Sequence, residues 1–294
     1  MKRCLIVLLL ASSTFAQQTQ TPDKPPANPV STSANKQNLI TIEERTLHSA
    51  SLNRDIPYRV LLPAGYASDK KHRYPTLYLL HGLTGAYTNW QTNTHLTDYA
   101  SRYSLLIVLV EGGNSWYTNA VSPPEDRYED YVLKDLIPDI DKNFRTLPDR
   151  KHRAIAGLSM GGYGAMKFAL RAPQTFIFAG SFSGAFGTTR DPKSQKVYAK
   201  FGLDKVFGPL DVSGNSDNDI YVLAAKAKGV SLPYLYFDCG TEDAFLEQNR
   251  SFDKLLNGRK IAHEFHELPG SHNWKYWDQQ LEQLLEVLAK YMKM

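Results

Sequence analysis

The segment 156–166, AGLSMGGYGAM, places Ser159 among four glycines. Glycine inside a helix or strand costs roughly 0.5–1 kcal/mol relative to alanine, so the cluster indicates a demand of backbone geometry. Residues 157–161 match the G-x-S-x-G pattern and lie between an apolar strand pattern and a helical one. This context predicts a sharp elbow that exposes the serine hydroxyl at a helix N-terminus, where free N–H groups favour negative charge. The competing interpretation is a glycine-rich turn with an incidental serine.

Strand and helix patterns alternate along the chain from Leu39 onward. Several strand candidates are continuous apolar runs, which is typical of strands covered on both faces. The alternation predicts an α/β fold with a mostly parallel, eight-stranded sheet and helices on both faces, and the first two strands predict an antiparallel edge. The strand candidates span 40–48, 56–62, 76–80, 105–110, 153–156, 177–182, 234–238 and 261–268, and the helix candidates span 129–143, 160–171, 245–256 and 273–292.

The composition is that of an ordinary globular chain, with 294 residues, 42% hydrophobic and 22% charged. This length is enough to bury one large core, and residues 39–294 are predicted to form one domain. The formal charge is +4 and no block of like charges occurs. The charge balance therefore favours neither nucleic acid nor a membrane surface as the main partner.

Residues 1–16 are predicted to be a secretory signal peptide, with a basic start, an apolar run and small residues before a cleavage site after Ala16. The apolar run is too short to span a membrane, and the competing interpretation is a buried N-terminal strand. The expected location is extracellular or periplasmic. Residues 17–38 are predicted to be a disordered leader. Cys239 is then the one cysteine of the mature chain, so no intrachain disulfide is expected.

A serine hydroxyl needs a general base to become a nucleophile. In hydrolases with such an elbow, an acid and then a histidine follow the serine along the chain. His272 stands in the loop after the last strand candidate, whereas His263 and His266 lie within that strand pattern. The other histidines precede Ser159. His272 is therefore the predicted base, and the competing role is that of a residue at the start of a helix.

The acid is expected in the segment LYFDCGTEDAF, which ends the preceding strand and also leads to Glu247. Asp243 lies in the loop that can reach across to the histidine, and it is the predicted acid. Asp238, the last residue of its strand, and Glu242 remain alternatives. The role of the acid is to hold the imidazole tautomer and to stabilise the imidazolium.

Two backbone N–H groups are needed to bind the oxyanion that forms when a serine attacks an ester. One is predicted at Met160, directly after the serine, and the other at Leu83, in the loop after an early strand. The side chain of His81, two residues before Leu83, is expected to support this loop and not to take part in the chemistry.

Four segments, LLHGLTG, GLSMGGYGA, DCGTEDAF and GSHNWKYW, resemble the esterase D-like family of α/β hydrolases, as does YEDYVLKDLIPDIDKNF. The resemblance covers residues 40–290 and implies an α/β-hydrolase fold without a cofactor. It also implies a triad of Ser159, Asp243 and His272 and oxyanion donors at Leu83 and Met160. The relatives include feruloyl, acetylxylan and tributyrin esterases, formylglutathione hydrolases and mycolyl transferases.

Two departures from that family narrow the choice among its members. Gly85 stands where formylglutathione hydrolases usually carry a cysteine. Asp243 stands where mycolyl transferases carry a glutamate. Both classes are therefore disfavoured, and the chain is interpreted as a secreted serine carboxylesterase acting on acetyl or feruloyl esters of carbohydrates or on short-chain acyl esters.

The same triad would serve an acyltransferase that uses a sugar or lipid hydroxyl as acceptor. A non-catalytic binding protein with this fold is disfavoured because all three triad residues are present. The predicted partners are a small-molecule or polysaccharide-linked ester, with no nucleic acid and no membrane span. No metal is expected, because the strand pattern sends His263 and His266 to opposite faces.

Three further regions bear on the substrate. Trp116 and Tyr117 resemble the pocket-lining loop of the family, although ordinary packing is the competing interpretation. Trp274 and Trp277 begin an apolar stripe on the last helix candidate, which is interpreted as core packing. Residues 186–232 are longer than one crossover helix needs, and they are predicted to form small helices that wall or partly cap the pocket, the alternative being a solvated excursion.

Overall fold

The continuous apolar runs of the sequence build the centre of an eight-stranded sheet. The computed structural model describes residues 39–122, 126–208, 217–227 and 231–294, so the predicted signal peptide and leader lie outside the described residues. The strands are β1 (Thr41–Ser49), β2 (Arg54–Leu62), β3 (Thr76–Leu80), β4 (Leu106–Val110), β5 (Arg153–Leu158), β6 (Phe178–Phe182), β7 (Tyr234–Gly240) and β8 (His263–Leu268).

The strand order is β1-β2-β4-β3-β5-β6-β7-β8. β1 pairs antiparallel with β2, and β2 pairs antiparallel with β4, whereas every other neighbouring pair is parallel. The predicted fold class is confirmed, including its antiparallel edge. The strand ends differ from the sequence-based bounds by one or two residues, as where β7 continues to Gly240.

Helices cover both faces of the sheet. In β3, Leu77 and Leu79 pack into the layer that contains the last helix, whereas Tyr78 and Leu80 pack into the layer that contains the helix after Ser159. This alternation explains why the strand reads as an unbroken apolar run. The helices are α1 (Asn89–Asn93), α2 (Leu96–Ala100), α3 (Tyr128–Asp130), α4 (Ile137–Asn143), α5 (Met160–Arg171), α6 (Pro192–Tyr198), α7 (Leu203–Phe207), α8 (Ile220–Lys226), α9 (Leu246–Arg259) and α10 (Trp274–Met292).

The helix predicted over 129–143 is interrupted by a π-helical stretch, Tyr131–Leu136, between α3 and α4. The N–H of Ile137 donates to the carbonyl of Val132, five residues earlier. Pro138 follows, and proline has no N–H to continue the regular ladder. The sequence pattern predicted the position of this helix but not its widened turns.

The long connection between β6 and β7 carries α6, α7 and α8. Leu203, Phe207 and Ile220 from these helices are buried in the layer that contains α5. The segment therefore forms small helices, of which α7 and α8 pack into the layer of α5, and this agrees with the expectation from its short apolar patches. Over the described part of the chain, no helix combines the length and apolarity that crossing a bilayer requires.

Candidate active site

Ser159 occupies a strained elbow between β5 and α5. Its backbone has φ 53° and ψ −114°, a positive-φ conformation that non-glycine residues rarely adopt. The elbow is tight enough that a Cβ on Gly157 would lie 2.6 Å from the carbonyl carbon of Gly161. A Cβ on Gly161 would lie 2.6 Å from the carbonyl oxygen of Leu80. Glycine is thus needed at these positions because the backbone segments approach closely, as the sequence indicated.

His272 lies between Ser159 and Asp243. Its Nε2 is 3.0 Å from Ser159 Oγ, and its Nδ1 is 2.8 Å from Asp243 Oδ2. The imidazole is held edge-on between the rings of Phe245 and Trp277, with centroid distances of 4.8 and 4.9 Å. The structure therefore brings the three side chains of the predicted triad into one hydrogen-bonded line.

The Asp243 carboxylate fixes the orientation of His272. An ionised carboxylate only accepts hydrogen bonds, so Nδ1 carries the proton and the neutral ring presents the Nε2 lone pair to Ser159. Asp243 Oδ1 also accepts the N–H of Phe245 at 2.8 Å. Burial raises the pKa of Asp243, but the hydrogen bond and charge of His272 outweigh it, so the pKa lies below its usual value. The carboxylate is thus ionised at neutral pH.

The alternative acids lie elsewhere. Asp238 is fully buried, and its Oδ1 accepts the hydroxyl hydrogen of Tyr276 at 2.8 Å. Burial raises the pKa of Asp238 well above its usual value, against the weaker influence of the Tyr276 hydroxyl. Glu242 is exposed, and Glu247 pairs with Arg250. Of these four carboxyl groups, Asp243 is the one hydrogen-bonded to His272.

The predicted oxyanion donors flank the serine. Met160 begins α5, and the loop that carries Leu83 packs against the elbow through Gly82, whose added Cβ would meet Leu158 at 2.6 Å. Within the described residues, neither the Leu83 nor the Met160 N–H donates to another protein group. Both donors are therefore available to a substrate.

His81 is buried and supports this loop. Its Nδ1 lies 2.7 Å from the carbonyl oxygen of Gly82, and its Nε2 accepts the N–H of Gly112 at 2.9 Å. A carbonyl can only accept, so Nδ1 carries the proton. The side chain joins the ends of β3 and β4 beneath residues 81–85, the predicted oxyanion loop.

A cavity of about 380 Å³ opens at Ser159 and His272. Part of its lining is aromatic, and part is polar and comes from the oxyanion loop and α1. Trp116 lines this cavity, but Tyr117 is not among the lining residues of the described chain; its hydroxyl instead donates to the carbonyl of His81 at 3.0 Å. The aromatic members are Trp116, Tyr198, Trp274 and Trp277, and the polar ones include Thr84, Asn89 and Asn93.

Two groups of pocket residues differ from the sequence-based interpretation or were missed by it. The sequence predicts core packing for Trp274 and Trp277, and Trp277 is buried in the layer of α10 with Trp274 packed against it. Both rings also line the pocket, because the first turn of α10 directly follows His272. The sequence does not single out Tyr198, although it predicts a wall of the pocket for the segment that contains it. Its ring packs against Trp116 with a centroid distance of 5.5 Å. The position of Tyr198 at the end of a short helical pattern offered no signal for this contact.

The two histidines of β8 have separate surroundings. His263 stacks on Phe237, and its Nε2 lies 2.9 Å from Asp253. His266 packs beside Tyr236 and contacts Glu264. Across the parts of the chain that the structure describes, no group of three or more potential metal ligands is found.

Comparison with known families places this site in context. Residues 49–288 match the family described as "Putative esterase". The chain belongs to this esterase family. It is accordingly a serine hydrolase of the esterase family that acts on carboxylic esters.

Individual relatives of this esterase include an acetyl esterase of Caldicellulosiruptor saccharolyticus, which is 28% identical over 268 residues, or 85% of this chain and 99% of the relative. Esterase Rv1288 of Mycobacterium tuberculosis is 33% identical over 237 residues, or 72% of this chain and 51% of the relative. Among solved structures, the fluorophosphonate-binding serine hydrolase FphF of Staphylococcus aureus has a TM-score of 0.77 at 26% identity, covering 85% of this chain and 98% of that chain. A ferulic acid esterase has a TM-score of 0.75, also at 26% identity, over 86% and 99% of the two chains.

Proposed function

We propose that this esterase hydrolyses its substrate through an acyl-enzyme on Ser159. The observation that carries the proposal is the hydrogen-bonded line from Ser159 Oγ through His272 to Asp243. His272 Nε2 takes the hydroxyl proton as Oγ attacks the ester carbonyl. The C–O bond to the alcohol then breaks, and the same nitrogen returns the proton to the departing oxygen.

Water completes the cycle by the reverse route. His272 removes a proton from water as its oxygen attacks the acyl carbonyl, and Ser159 regains its proton when the carboxylic acid leaves. In both halves of the reaction the carbonyl oxygen gains negative charge. We propose the N–H groups of Leu83 and Met160 as the donors to that oxygen, and the N-terminus of α5 would add to the stabilisation of its charge.

We further propose that the natural substrate is an acetyl or aromatic acyl ester of a carbohydrate, or a short-chain acyl ester. The aromatic lining from Trp116, Tyr198 and Trp274 supports an apolar or planar group beside Ser159. Polar groups at Asn89 and Asn93 support a hydroxylated group on the other part of the ester. Two similar proteins are named for such esters, one as an acetyl esterase and the other as a ferulic acid esterase.

The mechanism is tested with p-nitrophenyl acetate and a fluorophosphonate probe. The wild type should hydrolyse the ester and be labelled at Ser159. Ser159→Ala should lose turnover down to the residual level that binding and the oxyanion donors provide, while its circular dichroism and unfolding temperature stay close to those of the wild type. An alanine variant that keeps its activity, or a label on another residue, would overturn the proposal.

The substrate class is tested with a panel of acetylated, feruloylated and short-chain esters, with product analysis in the presence of sugar and glycerol acceptors. Free acid as the main product is expected; acylated acceptor would instead identify an acyltransferase. Tyr198→Ala should alter the preference between acetyl and aromatic esters by about 10–100-fold, the scale of one pocket contact. Val197→Ala, on the exposed neighbouring side chain, is the matched control and should leave the preference unchanged.

We also propose that residues 1–16 direct export and are removed. The basic start, apolar run and small residues before Gln17 support this. Mass spectrometry of the N-terminus, after fractionation of an expressing bacterium, should find a chain that begins at Gln17 outside the cytoplasm. An intact Met1 terminus confined to the cytoplasm would contradict it.

A further inference from the structure

Lys167 is a fully buried lysine on α5, the helix that follows Ser159. Its Nζ donates to the carbonyl of Tyr117 at 2.8 Å, to Thr118 Oγ1 at 2.7 Å and to Glu129 Oε2 at 2.9 Å. Lysine is almost never fully buried unless it is paired. All three hydrogens of the ammonium group are thus used, and two of them are directed at one loop.

That loop has an unusual backbone. Trp116 and Tyr117 are consecutive and both left-handed, with φ of 56° and 52°. Such conformations are unfavourable for residues with a side chain and persist only where the surroundings enforce them. Lys167 bonds the Tyr117 carbonyl directly, and the Thr118 hydroxyl that accepts from Lys167 donates to the Trp116 carbonyl at 3.0 Å. The ammonium therefore reaches the carbonyls of both strained residues.

Each strained residue leads to a different part of the active site. The Trp116 ring lines the cavity at Ser159 and packs against Tyr198. The Tyr117 hydroxyl donates to the carbonyl of His81, just before the oxyanion loop. The Tyr117 ring also fills the space beside Gly164 of α5, where an added Cβ would lie 2.8 Å from it. The pocket wall and the oxyanion loop thus share one support.

We infer that Lys167 is a positioning residue that sets the ester selectivity of the pocket by holding Trp116 in its left-handed conformation. The inference rests on the proposed function, because it takes the cavity at Ser159 as the ester site. Lys167 does not touch that cavity, so it acts through the loop. Its partner Glu129 balances the charge and is shared with Arg171, whose Nε donates to Glu129 Oε1 at 2.9 Å.

The test separates positioning from stability by means of a double variant. Lys167→Met removes the ammonium and leaves Glu129 with Arg171 alone, so the unfolding temperature should fall. Lys167→Met with Glu129→Leu replaces both buried partners by apolar groups, which restores much of the stability. Neither protein has a donor for the Tyr117 carbonyl. Both should therefore shift the preference between acetyl and feruloyl p-nitrophenyl esters, or between ethyl and phenyl acetates, by about tenfold or more.

Arg171→Met is the matched control, because it removes an ion pair from Glu129 without touching the loop. It should lower the unfolding temperature and leave both preferences unchanged. Thr118→Val, which removes the relay to the Trp116 carbonyl, should shift the preference in the same direction as Lys167→Met. A crystal structure of the double variant should find the Trp116 ring displaced from its wild-type position.

Unchanged preferences in both ester series, or a double variant whose preference returns to that of the wild type together with its stability, would overturn the inference. An undisplaced Trp116 ring would do the same. Should the wild type hydrolyse no ester at all, the proposed function fails, and the position of the Trp116 ring still decides the role of Lys167.

Discussion

The serine and the histidine of this site are held in two different ways. Ser159 stands over the middle of the sheet, where close backbone contacts between Gly157, Gly161 and the end of β3 fix the elbow. His272 follows β8, the strand at the edge of the sheet, and its imidazole is partly exposed. Side chains hold it, namely Asp243 by a hydrogen bond and Phe245 and Trp277 by ring contacts.

This difference predicts how substitutions around Ser159, at the centre of the sheet, and around His272, at its edge, should act. The backbone atoms at the centre are too closely packed to move apart easily. A single methyl group added there is therefore expected to disturb the whole elbow. At the edge, the side chains that hold His272 can be replaced one at a time, and each has a separate role. Substitutions at the centre should therefore couple stability to turnover, whereas substitutions at the edge should separate them.

The largest expected effect lies at the edge. Asp243→Asn should lower kcat by roughly 10⁴-fold, because an amide favours the wrong tautomer of His272. Asp238→Asn is the matched control, since it keeps an oxygen that can accept from Tyr276 and lies apart from the imidazole. It should change kcat less than about tenfold. Steady-state kinetics of the two variants, each checked for folding, decide the point; the reverse ranking would make Asp238 the acid.

At the centre, Gly161→Ala should lower both stability and turnover. The added Cβ would lie 2.6 Å from the Leu80 carbonyl oxygen and 2.7 Å from that of His81, so the oxyanion loop must shift. We expect about 1–3 kcal/mol lost from the free energy of unfolding and about 100-fold or more from kcat/KM. Urea unfolding and kinetics on the same preparation measure both.

Gly258→Ala is the control for that substitution. Gly258 lies in α9, and an added Cβ would meet nothing within 4 Å. Alanine there should raise the free energy of unfolding by about 0.5–1 kcal/mol and leave kcat/KM unchanged. Equal behaviour of the two variants would mean that close backbone contacts do not fix the elbow at the centre.

The contributions of Lys167, on the helix after Ser159, and of Asp243, beside His272, to the free energy of unfolding should change in different pH ranges. Burial lowers the pKa of Lys167 to about 8, against the opposing charge of Glu129, whereas an unfolded lysine titrates near 10.4. Between these values the unfolded chain binds more protons, so stability from this group rises with pH. The full difference corresponds to about 3 kcal/mol, and the free energy of unfolding of the wild type should gain on that of Lys167→Met from pH 8 to 10.

At the edge, the lowered pKa of Asp243 gives a stabilising contribution that is present above about pH 4, the unfolded value, and is lost as the pH falls through the folded value. The wild type should therefore lose its advantage over Asp243→Asn in acid. A stability difference that is flat across both pH ranges would count against these assignments.

Among the substitutions that remove a contact, the smallest combined effect on stability and turnover is expected at Tyr276. Tyr276→Phe removes the hydroxyl that donates to Asp238 Oδ1, and the other oxygen of that buried carboxyl has no partner in the described structure. The loss should be about 1–3 kcal/mol in the free energy of unfolding, with kcat changed less than about tenfold. Tyr291→Phe, on an exposed ring of the same helix, should change neither quantity. A large loss of kcat at Tyr276 would mean that the edge is as tightly coupled as the centre.

The centre could be read from the sequence because its determinants adjoin in the chain. The apolar strand, the glycines around Ser159 and the helix after it are consecutive, so one local pattern predicts the whole elbow. In hydrolases with such an elbow, an acid and then a histidine follow the serine along the chain, and this order predicts His272 as the base. The apolar runs predict all eight strands, and the observed strands differ from the predicted ones in their end residues.

The choice among the acids needed contacts that the sequence does not state. Asp238 continues the alternation of Tyr236, whose side chain packs into the layer of α10, and this directs its carboxyl to Tyr276 and away from His272. The partners of Lys167 lie 38 to 50 residues away in the chain, so nothing near it marks it as buried. The pocket roles of Trp274 and Tyr198 likewise depend on which loops meet above the sheet.

The positive φ of Ser159 has a consequence for anyone who engineers this protein. A strained φ at a non-glycine residue costs about 1–3 kcal/mol, and glycine would adopt it without that penalty. Library selection for heat resistance alone would therefore enrich Ser159→Gly, a change that removes the nucleophile. Thermal ranking and ester turnover would then point to opposite clones, so each selection round has to include an activity screen.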